Sequence, residues 1–384
     1  MRSLSPPRVV NIADLRLLAQ RRLPRAVFDY IDGGAEGEVT LRENVRAFEE
    51  VVFRPRNAVA ATRCDPRATL LGAQMAFPLI LAPVGFTRLI HPDGERSAAR
   101  AATSAGIPYC LSTFSGCHVD EIREVSKGAL WYQLYCAGGR EVAEASLARA
   151  QTAGFTVLAV TVDTNGLGYR ERDVRNGVPQ LMSPSWSSRL PHLPQLLKRP
   201  GWLAGFLADR GALCFPNVMI DGSPMRAGDV PRLLSQNAMQ WTDMKWIRRA
   251  WQGPILMKGV STGEVARRAL DAGAEGVIVS NHGGRQLDSS PASLRALPEV
   301  LEAMNGCGEV LMDGGIRRGS DIVKALCIGA KAVLCGRAYT YGLAGAGQAG
   351  VQRAIEILRT DFERTMRLLG CSSVSELDRS LIQA

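Results

Sequence analysis

Histidine is scarce in this chain of 384 residues, occurring only as His91, His118, His192 and His282. His282 stands in the run Ser280-Asn281-His282-Gly283-Gly284-Arg285-Gln286-Leu287-Asp288, three residues before an arginine. An imidazole takes up a proton near neutral pH, its unperturbed pKa being ~6.5. A guanidinium clamps a carboxylate through two parallel N–H bonds. Together they suit proton removal from a small carboxylate substrate. Asp163, at the end of Thr161-Val162-Asp163, is a candidate to orient the imidazole. Lys258 offers a cation for an anionic cofactor ring. Asp313-Gly314-Gly315-Ile316-Arg317-Arg318-Gly319 and Gly336-Arg337 combine glycines, which let backbone N–H groups approach a phosphate, with arginines that add charge-assisted bonds. Any one of these runs alone reads as a surface turn, so their chemistry depends on being brought together.

Short apolar runs supply the positions. They are Leu79–Pro83, Ile107–Leu111, Ala129–Tyr135, Thr156–Val162, Ile255–Lys258, Gly276–Ser280, Glu309–Asp313 and Ala332–Gly336. Six of the seven intervals between their starts are 21 to 33 residues, room for a strand, a helix and two short loops. Eight such units predict an α/β fold, a (β/α)8 TIM barrel whose active site lies at the C-terminal strand ends. An open doubly wound sheet is the rival. Every candidate residue falls at such an end. Residues 1–75 carry helical patterns (Ile12–Arg22, Arg25–Ile31, Gly37–Glu49) and read as an N-terminal helical lid or plug on a barrel spanning 76–370, all within one domain, 1–384. The seventh interval, after strand four, holds about 60 extra residues, a functional loop insertion over 176–240.

Composition narrows the class. Apolar residues are 46% and charged residues 22%, which excludes a disordered chain. No apolar stretch approaches the ~18 residues of a membrane-spanning helix. The net charge of +9 is scattered, with no zinc-finger or RNA-binding signature, so nucleic acid is not an expected partner. The nine cysteines contain no C-x-x-C pair, so no metal site is expected, and their placement in apolar runs fits free thiols in a reducing cytoplasm. Asp14 and Arg16 interrupt the stretch where a signal peptide needs apolar residues.

The His282 and Asp313 runs resemble those of the FMN-dependent α-hydroxy-acid oxidoreductases, a family of glycolate and lactate oxidases and of membrane-associated lactate and mandelate dehydrogenases. The resemblance extends through Leu23-Pro24, Phe28-Asp29-Tyr30, Ala82-Pro83, His91-Pro92-Asp93-Gly94-Glu95, Gln133-Leu134-Tyr135, Lys258-Gly259 and Gly336-Arg337. It implies FMN on Pro83, Val84 and Gly85, with Ser112, Gln133, Thr161, Lys258 and Ser280 bonding its ring and ribityl chain. Asp313, Gly314, Gly315, Arg317, Gly336 and Arg337 would hold the ribityl and phosphate end. It implies a catalytic set of His282, Asp163, Tyr135 and Arg285, with Tyr30, Tyr135, Arg170 and Arg285 binding an L-2-hydroxy acid that is oxidised to the 2-oxo acid. Asn165-Gly166 departs from the proline common in relatives and bears on the loop that holds Arg170.

Alternatives within the same barrel are a peptide-modifying or isomerase-type FMN enzyme, against which Arg285 argues, and an oxygen-using hydroxy-acid oxidase. Gly85, where oxidases typically carry Ala, resembles the dehydrogenase branch, implying a quinone or similar electron acceptor. Between Ser185 and Leu213 the insertion sets Trp186, Leu190, Leu193, Leu196, Leu197, Trp202, Leu203, Phe206 and Leu207 beside Arg189, Lys198, Arg199 and Arg210, with Asp209 the acidic residue. That composition suits peripheral membrane contact through 180–215, on the inner face of the membrane. It suits equally a loop over the active site or a contact in a homo-oligomer, a tetramer by resemblance.

Overall fold

The computed structural model describes residues 9–59, 64–182, 185–209 and 213–383. Eight parallel strands close a barrel: β1 (Leu79–Leu81), β2 (Tyr109–Ser112), β3 (Leu130–Leu134), β4 (Val157–Thr161), β5 (Ile255–Val260), β6 (Gly276–Val279), β7 (Glu309–Asp313) and β8 (Ala332–Cys335). They follow chain order, and closure comes from β8 on β1, with Val333 opposite Leu79 and Cys335 opposite Leu81. The strands read as continuous apolar runs because both faces are buried. Alternate residues divide between two cores. Ile80, Cys110, Trp131, Ala159, Leu256, Ile278, Leu311 and Leu334 belong to the barrel interior. Leu79, Leu81, Tyr109, Leu111, Tyr132 and Val160 join the core shared with the surrounding helices.

The N-terminal segment divides in two, which corrects the expectation of an all-helical lid. Helices α1 (Ile12–Arg22), α2 (Arg25–Asp32) and α3 (Val39–Glu50) form the lid, α1 starting at a capping box between Asn11 and Asp14. A hairpin of Ala68–Leu70 and Ala73–Met75 follows, and its Leu70 and Met75 pack into the interior cluster as a stopper just before β1. Short alternating stretches with a two-residue turn carry little helical periodicity, so the hairpin is a separate device.

The insertion, which in the structure begins after β4 and ahead of residue 176, is largely built of short elements: helices Glu171–Arg175, Val178–Met182, Leu193–Leu197 and Pro200–Ala208, then a hairpin of Cys214–Ile220 with Ser223–Arg226 and the helix Val230–Gln236. Its middle is tied to the lid and to β1's loop. Gln195 Oε1 accepts from Ala26 N at 2.8 Å, Arg199 Nε donates to Leu23 O at 3.0 Å, and Trp202 Nε1 donates to Leu89 O at 2.8 Å. Arg88 pairs with Asp209. Leu190, Leu197 and Leu207 stay exposed. Arg210 and the side chain of Trp186 lie outside the described residues.

The helix Arg337–Leu368 backs α1 and breaks at Ala346 and Gly347, where φ turns to +59°. Its halves meet at Gly342 and Gly350, and a Cβ on Gly342 would stand 2.2 Å from the Gly350 carbonyl oxygen. No rotamer relieves a backbone clash. Gly342→Ala is therefore expected to cost about 2–3 kcal/mol and to lower Tm by about 4 °C or more, measured by circular dichroism; an unchanged Tm would contradict this packing.

Candidate active site

All eight strands deliver a polar or glycine residue to one end of the barrel, around a cavity of about 590 Å³. Pro83, Val84 and Gly85 follow β1, and Ser112 ends β2; each lines the cavity, as do Tyr135, Lys258, Asp313, Gly314, Gly315, Arg317, Gly336 and Arg337. Gln133, Thr161 and Ser280 are buried just behind this lining and support it. Ser112 Oγ donates to Gln133 Oε1 at 3.1 Å, and Gln133 Nε2 donates to Thr161 Oγ1 at 2.9 Å, a hydrogen-bonded row across three neighbouring strands.

Lys258 sits at the centre of the charge arrangement. Its Nζ lies 2.8 Å from Asp313 Oδ2 and donates to Ser280 Oγ at 2.9 Å. Burial alone would lower its pKa, but Asp313 and Asp163 outweigh burial and raise it, so the ammonium keeps its charge. Gly259, next in β5, has φ +98°, and a Cβ there would meet Asp163 Cγ at 2.6 Å. That close approach brings Asp163 to the lysine and the histidine alike.

His282 is held at both ring nitrogens. Nδ1 faces Asp163 Oδ1 at 3.1 Å and Oδ2 at 3.2 Å, and Nε2 lies 3.1 Å from the Tyr135 hydroxyl. Burial pushes the Asp163 carboxyl up, yet His282 and Lys258 outweigh it and leave the acid below its ordinary pKa. A carboxylate on Nδ1 keeps the proton there and leaves Nε2 as the basic nitrogen. Burial raises the Tyr135 and Tyr30 phenols, so both remain protonated donors. His282 itself adopts φ +59°, an uncommon conformation for a side-chain-bearing residue. Its N–H donates to Ser280 Oγ at 3.0 Å, and the turn is braced by a reciprocal amide pair between Asn281 and Asn44 of α3, at 2.8 and 2.9 Å.

Two arginines flank Tyr30. The Arg285 guanidinium lies 5.0 Å from the ring centroid and that of Arg170 lies 6.0 Å away. Arg285 Nη1 donates to the carbonyls of Tyr30 and Gly33 at 2.7 and 2.9 Å. Burial, then the neighbouring Arg170, weakens the hold of Arg285 on its proton. Arg170 Nε is buried without a hydrogen-bond partner among the described residues. An anionic ligand between these groups would relieve both the repulsion and the missing bond.

The far end fits FMN. Asp313 Oδ1 is buried with no hydrogen-bond partner among the described residues, although Oδ2 is paired, so it offers an acceptor for a sugar hydroxyl. Gly314 and Gly315, at φ +93° and +86°, present bare backbone to the cavity beside Arg317. Arg337 lines the same end of the cavity and also has a structural part. Its Nε, Nη1 and Nη2 donate to the carbonyls of Ile31, Gly283 and Gly33 at 3.2, 2.8 and 2.8 Å, fastening the lid to the His282 turn.

Three supporting groups escaped the sequence reading. Asn44 sits on an amphipathic helix with nothing to mark it. Gln286 Nε2 donates to the carbonyls of Asp163 and Gly166 at 2.9 and 2.8 Å, and it lay unremarked inside the His282 run. Asp173 lines the cavity 3.9 Å from Arg170 Nη1, with burial raising its pKa against the pull of Arg285 and Arg170; its spacing from Arg170 was the available signal. The ends of the insertion supply Leu167, Val178, Pro179, Ala227, Val230 and Leu234 as an apolar wall.

Residues 19–384 match the family profile described as FMN-dependent dehydrogenase. An L-lactate dehydrogenase of Caulobacter vibrioides is 40% identical, over 97% of this chain and 97% of its own. A peroxisomal (S)-2-hydroxy-acid oxidase of Oryza sativa subsp. japonica is 41% identical, over 97% of this chain and 95% of its own. Among solved structures, the monotopic membrane protein (S)-mandelate dehydrogenase superposes with a TM-score of 0.90 at 37% identity, covering 98% of this chain and 99% of that one.

Lys258→Met keeps the length of the side chain and strands Asp313 without its counter-ion. Removing one partner of a buried pair costs about 3–5 kcal/mol, so the variant is expected to melt well below wild type and to purify with little flavin. Full flavin content at an unchanged Tm would contradict the role given to this pair.

Proposed function

The chain belongs to the FMN-dependent dehydrogenases and oxidises a 2-hydroxy acid with FMN, and from that premise we propose which residues act and where the electrons go. The observation that carries the reading is His282, held between Asp163 and Tyr135 at the same cavity that Arg285 and Arg170 line. The substrate carboxylate seats on Arg285 and Arg170, with Tyr30 donating to it, a fork geometry that fixes orientation as well as charge. The 2-hydroxyl then faces His282 Nε2 and the Tyr135 hydroxyl. His282 takes a proton at Nε2, and Asp163 stabilises the imidazolium that results. FMN, when bound, would supply the acceptor for the two electrons and the second proton of the oxidation. Lys258, lining the same cavity, would supply a fixed positive charge to it.

The apolar wall from Leu167, Val178, Pro179, Ala227, Val230 and Leu234 lines the same cavity as Arg285 and Arg170 and would receive a substrate's 2-substituent. It favours a lactate- or mandelate-like acid with an apolar group, and small Ala227 favours the larger one. For the electrons, Gly85 leaves bare backbone beside the flavin seat, its Cβ position 3.0 Å from Phe114 Cβ. We assign the chain to the dehydrogenase branch, passing electrons to a quinone or similar carrier. No helix among the described residues is long and apolar enough to cross a membrane. Exposed Leu190, Leu197 and Leu207, near Lys198 and Arg199, support peripheral contact through 180–215 on the cytoplasmic face, as does the monotopic character of the superposable mandelate dehydrogenase. A tetramer completes this reading.

Anaerobic mixing with glycolate, L-lactate and L-mandelate is expected to bleach the flavin, fastest with the larger acids. His282→Ala should retain FMN and slow bleaching by about 10²–10⁴-fold or more; bleaching at the wild-type rate would require another base. Stopped-flow reoxidation by oxygen should be slow and reoxidation by a soluble quinone fast. Rapid stoichiometric peroxide would make the protein an oxidase instead. Vesicle co-sedimentation should fall when 186–208 is deleted, and equal sedimentation would remove the membrane contact.

A further inference from the structure

Asp32, at the end of α2, is buried and accepts four hydrogen bonds. Arg16 Nε reaches Oδ1 at 2.6 Å and Arg16 Nη2 reaches Oδ2 at 2.8 Å. The Tyr341 hydroxyl donates to Oδ1 at 2.7 Å, and Arg172 Nη1 to Oδ2 at 2.9 Å. The two arginines come from different places. Arg16 lies on α1 and ties one lid helix to the next. Arg172 lies in the insertion, two residues beyond Arg170, and ties the lid to the loop that carries a substrate-facing guanidinium.

Arg172 makes further bridges of the same kind. Its Nη2 donates to Glu38 Oε2 at 2.7 Å, and its Nη1 lies 3.5 Å from Asp29 Oδ1. The other oxygen of Glu38 accepts from Gly34 N at 2.9 Å. Backbone bonds run parallel to these: Glu36 N donates to Tyr169 O at 2.7 Å, and Ala35 N to Gly284 O at 2.8 Å. Residues 29–38 are thus gripped from one side by Arg172 and from the other by Arg285 and Arg337. Tyr30 is carried in that grip. Arg170, by contrast, is held only loosely among the described residues, with Asp173 3.9 Å away and the Tyr30 ring centroid at 6.0 Å.

We infer that Arg172 is a positioning residue for substrate binding: bridging Asp32 and Glu38, it sets the spacing between Tyr30 on the lid and Arg170 on the insertion. The inference rests on the reading that these two groups hold the substrate carboxylate. A carboxylate is recognised by opposed donors at fixed separation, and displacement of one by about 1 Å costs up to 10²-fold. Arg172 touches neither the carboxylate nor His282, so its loss should weaken capture of the acid and spare the proton transfer.

The test uses the flavin-loaded protein, anaerobic flavin reduction by L-mandelate or L-lactate, and the spectral perturbation of the flavin by oxalate, an unreactive dicarboxylate. Arg172→Ala should raise the apparent dissociation constants for substrate and oxalate by about tenfold, with FMN content unchanged and the limiting reduction rate within about threefold of wild type. Arg16→Ala removes two bonds from the same Asp32 without touching the insertion. It should lower Tm comparably and leave both constants near wild type. Glu38→Gln, a milder break, should raise both constants by about threefold and serves if Arg172→Ala does not fold. Unchanged constants in Arg172→Ala or Glu38→Gln would overturn the inference, as would an equal rise in Arg16→Ala, which would mean general loosening of the lid. Arg170→Ala separates the two levels: if it leaves oxalate binding intact, the carboxylate assignment itself is wrong, whereas loss there with no effect at Arg172 removes only the positioning role.

Discussion

A lysine buried at the end of β5 sets the electrostatics of the whole barrel mouth. The cost of burying an ammonium is met only if anionic partners converge on it, and here they come from two directions, Asp313 at the end of β7 and Asp163 after β4. The same Asp163 faces His282 Nδ1. One carboxylate therefore serves a fixed cation and a reversible one. The bulge and positive φ at Gly259 let it reach both, since a side chain there would fill the space that Asp163 occupies. The flavin seat and the proposed base consequently share one carboxylate.

The lid completes what the barrel begins. Arg285 and Arg337 are partly buried cations with no carboxylate in salt-bridge contact among the described residues, and each is satisfied chiefly by backbone carbonyls of residues 30–33 and 283. Carbonyls orient a guanidinium without neutralising it, so the positive charge remains available to an anionic ligand. This arrangement makes the N-terminal helices part of the site: Tyr30, Asn44 and the carbonyls of the 30–33 segment all come from residues that a barrel alone lacks.

Much of this was legible in the sequence. The eight apolar runs predict the eight strands to within a few residues, because strands buried on both faces must be continuously apolar. Helices Ile12–Arg22 and Arg25–Ile31 agree closely with the observed elements, since Asn11, Pro24 and Gly33 bound them. His282, Asp163 and Arg285, placed by strand ends, and Tyr135, Arg170 and Tyr30, placed by the family resemblance, converge on one cavity. What escaped was the support: Asn44, Gln286, Arg172 and Asp32 act through partners more than 100 residues away in the chain, and no local pattern encodes such a bond. The lid bonds of Arg337 escaped for a related reason: a Gly-Arg at a strand end gives the position of the arginine at the cavity but not the lid carbonyls that share its donors.

The central claim is that Asp163 fixes His282 as a base whose free nitrogen faces the substrate hydroxyl. Single-turnover flavin reduction in Asp163→Asn, under anaerobic conditions with saturating hydroxy acid, tests it most directly. An asparagine keeps the shape but can donate to Nδ1 and favour the wrong tautomer, so the expected result is retained FMN and a reduction rate lower by about 10³–10⁴-fold. A rate within about threefold of wild type, with FMN fully bound, would contradict the assignment of His282 and Asp163 as a working pair.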